Sequence, residues 1–334
     1  MKKILITGVA GFVGSNLAEA LLRSSQEYAV VGLDDLSYGF LRNLQECMTS
    51  PRFTFHQGDV RDAGLVEELA AGAWAIVHMA TFKIPRYGNA YDTLTVNVKG
   101  TENVLRAALR HNKCKVVFTS TSDVYGKNPR LPFNERSDLW MGEPTVKRWA
   151  YAVSKMLDEH FCFAFYREYG LPVSIIRYFG GYGPHQNMTW WGGPQSVFIN
   201  CALENKPMPV HGDGLQTRSF TYASDMVDGT VRVLESDRGI GEVFNIGNTQ
   251  EYSIAELART VWRLVRPHEP PKLEMVSYRS FSGRYEDVRN RIPDVNKART
   301  LLGFEPKVSL EEGLIHTIEW QRQVREKEGA HVES

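Results

Sequence analysis

Short runs of β-branched and apolar residues alternate with longer amphipathic stretches through the first half of the chain. KILIT (3–7), AVVGLD (29–34), RFTFHQGD (52–59), AIVHMA (75–80), KVVFTST (115–121) and VSIIRYF (173–179) read as strands. Each is followed by a loop or a helical stretch, among them helices near 99–111 and 149–169. This alternation predicts an α/β fold with a Rossmann-type, doubly wound parallel sheet covered by helices on both faces.

The pattern changes after residue 179. GGYGPHQNMTWWGGPQ (180–195) is rich in Gly, Pro and aromatic residues and reads as a long loop leading into a helix near SVFINCALENK. A strand, a turn and a helix from about Tyr222 follow, then helices near 253–266, 294–302 and 310–325. The expected organisation is a dinucleotide-binding domain over 1–178, to which about 222–247 return. A smaller C-terminal α/β substrate-binding lobe takes 179–221 and 248–326, and 327–334 form a solvated tail.

Composition narrows the function classes. Lys plus Arg equals Asp plus Glu at 39 each, which leaves no basic footprint for nucleic acid or for an anionic membrane surface. The N-terminal apolar run is broken by Gly8, Gly11 and Gly14, and no stretch approaches the roughly 18 apolar residues of a membrane span. A cytoplasmic protein is expected. Cys47, Cys114, Cys162 and Cys201 are widely spaced and suit a reducing compartment better than a disulfide framework. No metal site is expected.

Candidate chemistry begins at LITGVAGFVGSNLAEALL, where Gly8, Gly11 and Gly14 stand between a strand and an amphipathic helix. The turn needs a residue without Cβ, a pyrophosphate needs close backbone approach, and a helix N-terminus offers unpaired N–H groups to an anion. Asp34 ends the second strand twenty residues beyond Gly14, where a carboxylate binds ribose hydroxyls and repels a 2′-phosphate. NAD is therefore favoured over NADP, with Arg42 in the next loop the one residue that keeps NADP open. Tyr151 and Lys155, four apart, fall on one helix face, where the ammonium can lower the phenol's pKa.

These motifs occur in order with GDVRD (58–62), HMA (78–80), NVKGTENVL (97–105), TSTSDVYG (119–126), GDGLQTRSFTYASDMVDG (212–229) and GEVFNIGN (241–248). In this the chain resembles the extended short-chain dehydrogenase/reductases, the NAD-dependent nucleotide-sugar epimerases and dehydratases. The resemblance implies that Phe12 and Val13 join the glycines at the cofactor, that Asp59 and Val60 flank the adenine, and that Ala80 and Asn97 line the cofactor. It also implies that Tyr178 lies beside the nicotinamide. Thr121 would hydrogen-bond the reacting hydroxyl, Tyr151 would take its proton, and Lys155 would hold the nicotinamide ribose. A homodimer through a four-helix bundle is implied as well.

The resemblance leaves the sugar chemistry open. Simple 4-epimerases keep a neutral residue at the position of Asp123, whereas 4,6-dehydratases and UDP-glucuronate decarboxylases keep Glu. Asp is one methylene shorter, and Ser122 replaces the Asp that precedes the dehydratase Glu. A UDP-hexose or UDP-hexuronic acid 4-epimerase is expected first, a UDP-glucuronate decarboxylase second, a 4,6-dehydratase third. A non-catalytic dinucleotide sensor is the alternative from another class. Lys83, Arg86, Arg218 and Arg284 match phosphate-binding positions, and Arg291 resembles an Arg near the sugar carboxylate in decarboxylases. Gly180 replaces the usual sugar-binding Asn, for which Gln195 or Trp191 could substitute.

Overall fold

The computed structural model describes residues 1–24, 28–83, 89–278 and 286–330. Seven parallel strands form the main sheet: β1 (Lys2–Thr7), β2 (Tyr28–Asp34), β3 (Phe53–Gln57), β4 (Ala75–His78), β5 (Lys115–Thr121), β6 (Val173–Tyr178) and, far along the chain, β11 (Val243–Ile246). Their order is β11-β6-β5-β4-β1-β2-β3, so the winding reverses between β1 and β4. Ligands of such sheets bind outside the carboxyl ends of the strands at this reversal.

The strands are apolar on both faces because helices cover both. Ile4 and Ile6 point to one side, where Leu17 and Leu21 of α1 (Phe12–Arg23) and Val233 and Leu234 of α7 (Ala223–Glu235) pack on them. Leu5 points to the other, against α3 (Ala63–Ala70), α4 (Ala90–Arg110) and α5 (Trp149–Tyr169). The short α2 (Gln45–Met48) follows β2. The helix expected from about 99 begins at Ala90, because Asn89 caps it by accepting a 2.9 Å hydrogen bond from the Tyr91 N–H.

A second core belongs to the C-terminal lobe. It joins α6 (Pro194–Leu203), β8 (Met208–His211), α8 (Ile254–Val265) and α10 (Leu310–Ala330) through Phe198, Val210, Val261, Trp262 and Leu314. Here β8 pairs with β13 (Leu273–Val276) and β9 (Thr217–Ser219) pairs with β12 (Glu251–Ser253). β7 (Gly181–Tyr182) and β10 (Thr221–Tyr222) meet beside the main sheet, and α9 (Asn296–Leu302) packs near β11. Helix α10 continues to Ala330, three residues past the expected start of the tail at 327.

Candidate active site

One large cavity of about 540 Å³ runs across the carboxyl ends of β1, β2, β4, β5 and β6 and under the 180–195 loop. Gly8, Gly11, Phe12, Val13 and Gly14 line one end of it, with Asp34, Asp59, Val60 and Ala80 beside them. Gly8 has φ +74°, and a Cβ there would lie 2.7 Å from the Ala80 nitrogen. The Met79–Ala80 backbone leaves no room for a side chain at this point, and the N-terminus of α1 beside it offers unpaired N–H groups to a pyrophosphate. The residues present thus fit a dinucleotide.

Asp34 is buried and already engaged. It accepts hydrogen bonds from the Ala10 and Leu36 N–H groups, both at 2.9 Å, and so ties the glycine loop to the end of β2. Burial raises its pKa, against the pull of these bonds. Asp59 is held below the usual carboxylate range by Arg61, 2.5 Å away. Arg42 does not line the cavity: it pairs with Glu328 at 2.8 Å and its guanidinium lies 3.8 Å from the Phe40 ring centroid. Asn97 and Lys155 also stand behind the wall. The Asn97 carbonyl accepts from the Phe82 N–H at 2.8 Å and its amide donates to Ser154 at 2.9 Å, so it shapes the loop that faces the cofactor end.

Tyr151 and Tyr178 line the cavity, the latter with its hydroxyl 2.5 Å from Thr230. The Tyr151 phenol is pushed up rather than down. Burial dominates, the Asp123 carboxylate adds to it, and hydrogen bonds with Thr121 and Thr81 only partly offset both. The expected lowering by Lys155 is thus not met by the protein's own groups. The Lys155 ammonium is itself buried, 4.1 Å from the Phe118 ring centroid.

Opposite Tyr151 lies a charged cluster. Asp123 Oδ1 is 2.8 Å from Arg291 Nη2 and 3.3 Å from Arg148 Nη2, and Arg291 Nη1 is 3.4 Å from the Ser122 hydroxyl. Arg148 and Arg218 both reach Asp287 Oδ1, at 3.1 and 3.0 Å, while the Tyr278 hydroxyl donates to its other oxygen at 2.8 Å. Burial alone would raise the pKa of Asp123, yet Arg291, Arg148 and Arg218 hold it below the carboxylate range. Burial and the two neighbouring guanidiniums lower Arg218 to about 10. Three guanidiniums thus face two carboxylates, and the surplus cation suits an anionic substrate.

Gly180 has φ +48°, and a Cβ there would meet the Ser219 carbonyl oxygen at 1.9 Å. A side chain here needs the Ser219 carbonyl to shift, so this backbone path favours glycine. Gln195 is not a free substitute: its amide donates to Gly181, Gln186 and Gly192 and holds the loop together. Trp191 packs on Tyr38 at 4.0 Å between centroids and edge-on to Phe82 at 5.5 Å, while Lys83 Nζ is 3.4 Å from its carbonyl. Arg86 and Arg284 lie outside the described residues.

Sequence reasoning missed Arg148 and Asp287. Arg148 stands at the N-cap of α5, three residues before Tyr151, a spacing within reach of one helical turn that could have marked it. Asp287 carries no local signal.

Residues 5–317 match the family described as GDP-mannose 4,6 dehydratase. The chain belongs to this family of nucleotide-sugar-modifying enzymes. It is 36% identical over 326 residues to UDP-N-acetyl-alpha-D-glucosaminuronate decarboxylase of Bacillus cytotoxicus, covering 97% of this chain and 98% of that one. Among solved structures, UDP-glucuronic acid 4-epimerase of Bacillus cereus, in complex with UDP-glucuronic acid and NAD, superposes with a TM-score of 0.84 at 31% identity, covering 96% and 99% of the two chains. The dTDP-glucose 4,6-dehydratase DesIV of Streptomyces venezuelae, crystallised with NAD, gives 0.87 at 31%, covering 97% and 98%. Among the described residues no helix is long and apolar enough to cross a membrane.

Proposed function

We propose that this protein is an NAD-dependent decarboxylase of a UDP-hexuronic acid. One observation carries the choice: Arg291 touches Ser122 and Asp123 together, beside the Thr121–Tyr151 pair. Decarboxylation is thereby ranked ahead of epimerisation, the reverse of the order reached from sequence alone. A 4-epimerase needs no second charged group beside the reacting hydroxyl, whereas here a buried, ionised carboxylate with its counter-ions lies next to Thr121.

NAD, when bound, takes the C4 hydrogen with its two electrons and later returns them, and its positive ring favours the phenolate. Thr121 orients the C4 hydroxyl and Tyr151 receives its proton. The resulting 4-ketone acts as electron sink for the C5 carboxylate: the C5–carboxylate bond breaks, carbon dioxide leaves, and the electron pair goes into an enolate. Asp123, held ionised by Arg291 and Arg148, repels the departing carboxylate and turns it out of the ring plane. C5 then takes up a proton from solvent water, the C4 hydride is returned to the ketone, and Tyr151 returns its proton to O4. Arg218 grips the diphosphate, helped by Lys83.

The test is incubation with UDP-glucuronate and UDP-N-acetylglucosaminuronate, followed by NMR. Release of carbon dioxide with loss of the C5 substituent is expected. Inversion at C4 with the carboxylate retained would establish the 4-epimerase reading instead, which the likeness to the Bacillus cereus enzyme favours.

The same reading includes a homodimer through α4 and α5. These helices pack on each other and leave Leu94, Val153, Leu157 and Tyr166 exposed. Light scattering at micromolar concentration checks it.

A further inference from the structure

Behind the catalytic wall the inner face of α5 carries a third ionisable group. Tyr151, Lys155 and Asp158 are spaced four and three apart, which stacks them along one side of the helix. Asp158 is fully buried, and its carboxylate oxygens make no hydrogen bond of regular geometry among the described residues, with only the Thr101 hydroxyl of α4 joining Lys155 in favouring its charged form. Such a group is costly and needs a reason.

The surroundings supply one. Lys155 is 2% exposed and rests on the Phe118 ring, so its ammonium has lost its water. Glu159, its neighbour one residue past Asp158, is committed elsewhere: Arg177 holds both its oxygens at 2.9 and 2.6 Å, and Ser120 donates to it at 2.6 Å. From β4, His78 is neutral, its pKa lowered by burial to about 3, with its ring nitrogens 2.6 Å from Thr7 and 3.1 Å from Thr101. Burial lowers the pKa of Lys155. Of the groups that oppose this, Asp158 acts most strongly, ahead of the Cys162 thiol and Glu159.

We propose that Asp158 is a positioning residue, the buried counter-ion that keeps the Lys155 ammonium charged next to Tyr151. The inference rests on the dehydrogenase-type reading of the site. Asp158 touches neither substrate nor cofactor: it acts through Lys155, and without it Lys155 loses its proton at lower pH. The compensation is mutual, because the Lys155 charge favours the carboxylate form of Asp158, while burial raises its pKa to about 7.

Asp158→Asn keeps the shape and removes the charge. The expected result is that the alkaline limb of the kcat/KM against pH profile, where Lys155 deprotonates, moves down by about one pH unit or more. A merely structural Asp158 would change kcat or the melting temperature and leave that limb in place, so an unmoved limb overturns the proposal. A second readout needs no turnover. The melting temperature of the wild type should fall as pH rises from about 4 to about 7, where the unfolded chain has ionised Asp158 and the folded protein has not, and level off above; that of Asp158→Asn should lack this slope. Equal slopes in the two proteins count against the proposal. Should the Asn variant not fold, Asp158→Ser carries the same two measurements. If the wild type itself turns over no UDP-hexuronic acid, the reading of the site has failed, and the melting curves still test whether Asp158 is a buried group that ionises only near neutral pH.

Discussion

On the proposed reading, the two ends of the cavity meet anions by opposite means. At the cofactor end the glycine loop and the start of α1 offer backbone N–H groups, and the nearest carboxylate, Asp34, is used up in bracing that loop. At the other end three guanidiniums face two carboxylates, carried by separate parts of the chain, and one positive charge is left over. Backbone recognition is cheap to keep and hard to retune. A side-chain cluster can change specificity by one substitution, but each member depends on the others.

The comparison predicts how unequal the damage should be. Tyr151→Phe, which removes the group between the two ends, should lower turnover by about 10³-fold or more while NAD remains bound. Loss of bound dinucleotide in that variant would assign the phenol to binding rather than proton transfer. Asp123→Asn should cost turnover about 10²-fold and leave the three guanidiniums undercompensated, a destabilisation of about 3 kcal/mol read by chemical denaturation. Its wild-type contribution also has a definite pH dependence. Because the folded pKa of Asp123 lies below its ordinary value, the stability it confers is present above about pH 4 and is lost as pH falls through the folded value. Unfolding curves taken from pH 5 downward should show this slope below about pH 4 in the wild type and lack it in Asp123→Asn.

A smaller effect is expected at the hinge between the ends. Gly180→Asn adds a Cβ that meets the Ser219 carbonyl on a backbone that stays left-handed. It should destabilise the protein by about 1–3 kcal/mol without tightening sugar binding. Improved KM in that variant would show that the local path is adaptable. The smallest effect on chemistry should come from Leu157→Arg on the exposed face of α5, which should shift a dimer to monomer in light scattering and leave the pH profile unchanged.

The two ends also differed in how far they could be read from sequence. The glycine loop, Asp34 and the Tyr151–Lys155 pair were legible because each depends on spacing within one element, where periodicity and turn chemistry operate. The strands of the main sheet were legible for the same reason. The Arg148–Asp287 contact was not: its partners are 139 residues apart, and only the folded chain sets their distance. Nor could sequence show that Asn97 and Lys155 stand behind the wall, since motif membership does not say which way a side chain faces. The lowered Tyr151 pKa was expected from a helical spacing, but burial outweighs one nearby cation.

The Trp191 indole, lying on Tyr38, has a thermodynamic corollary. It fastens the loop after β2, on the dinucleotide side, to the long loop over the sugar. Two ligands that press on one shared stack alter each other's affinity by the same factor, whichever arrives first. Trp191→Ala should therefore make their binding independent, with a cofactor that washes out more readily between turnovers.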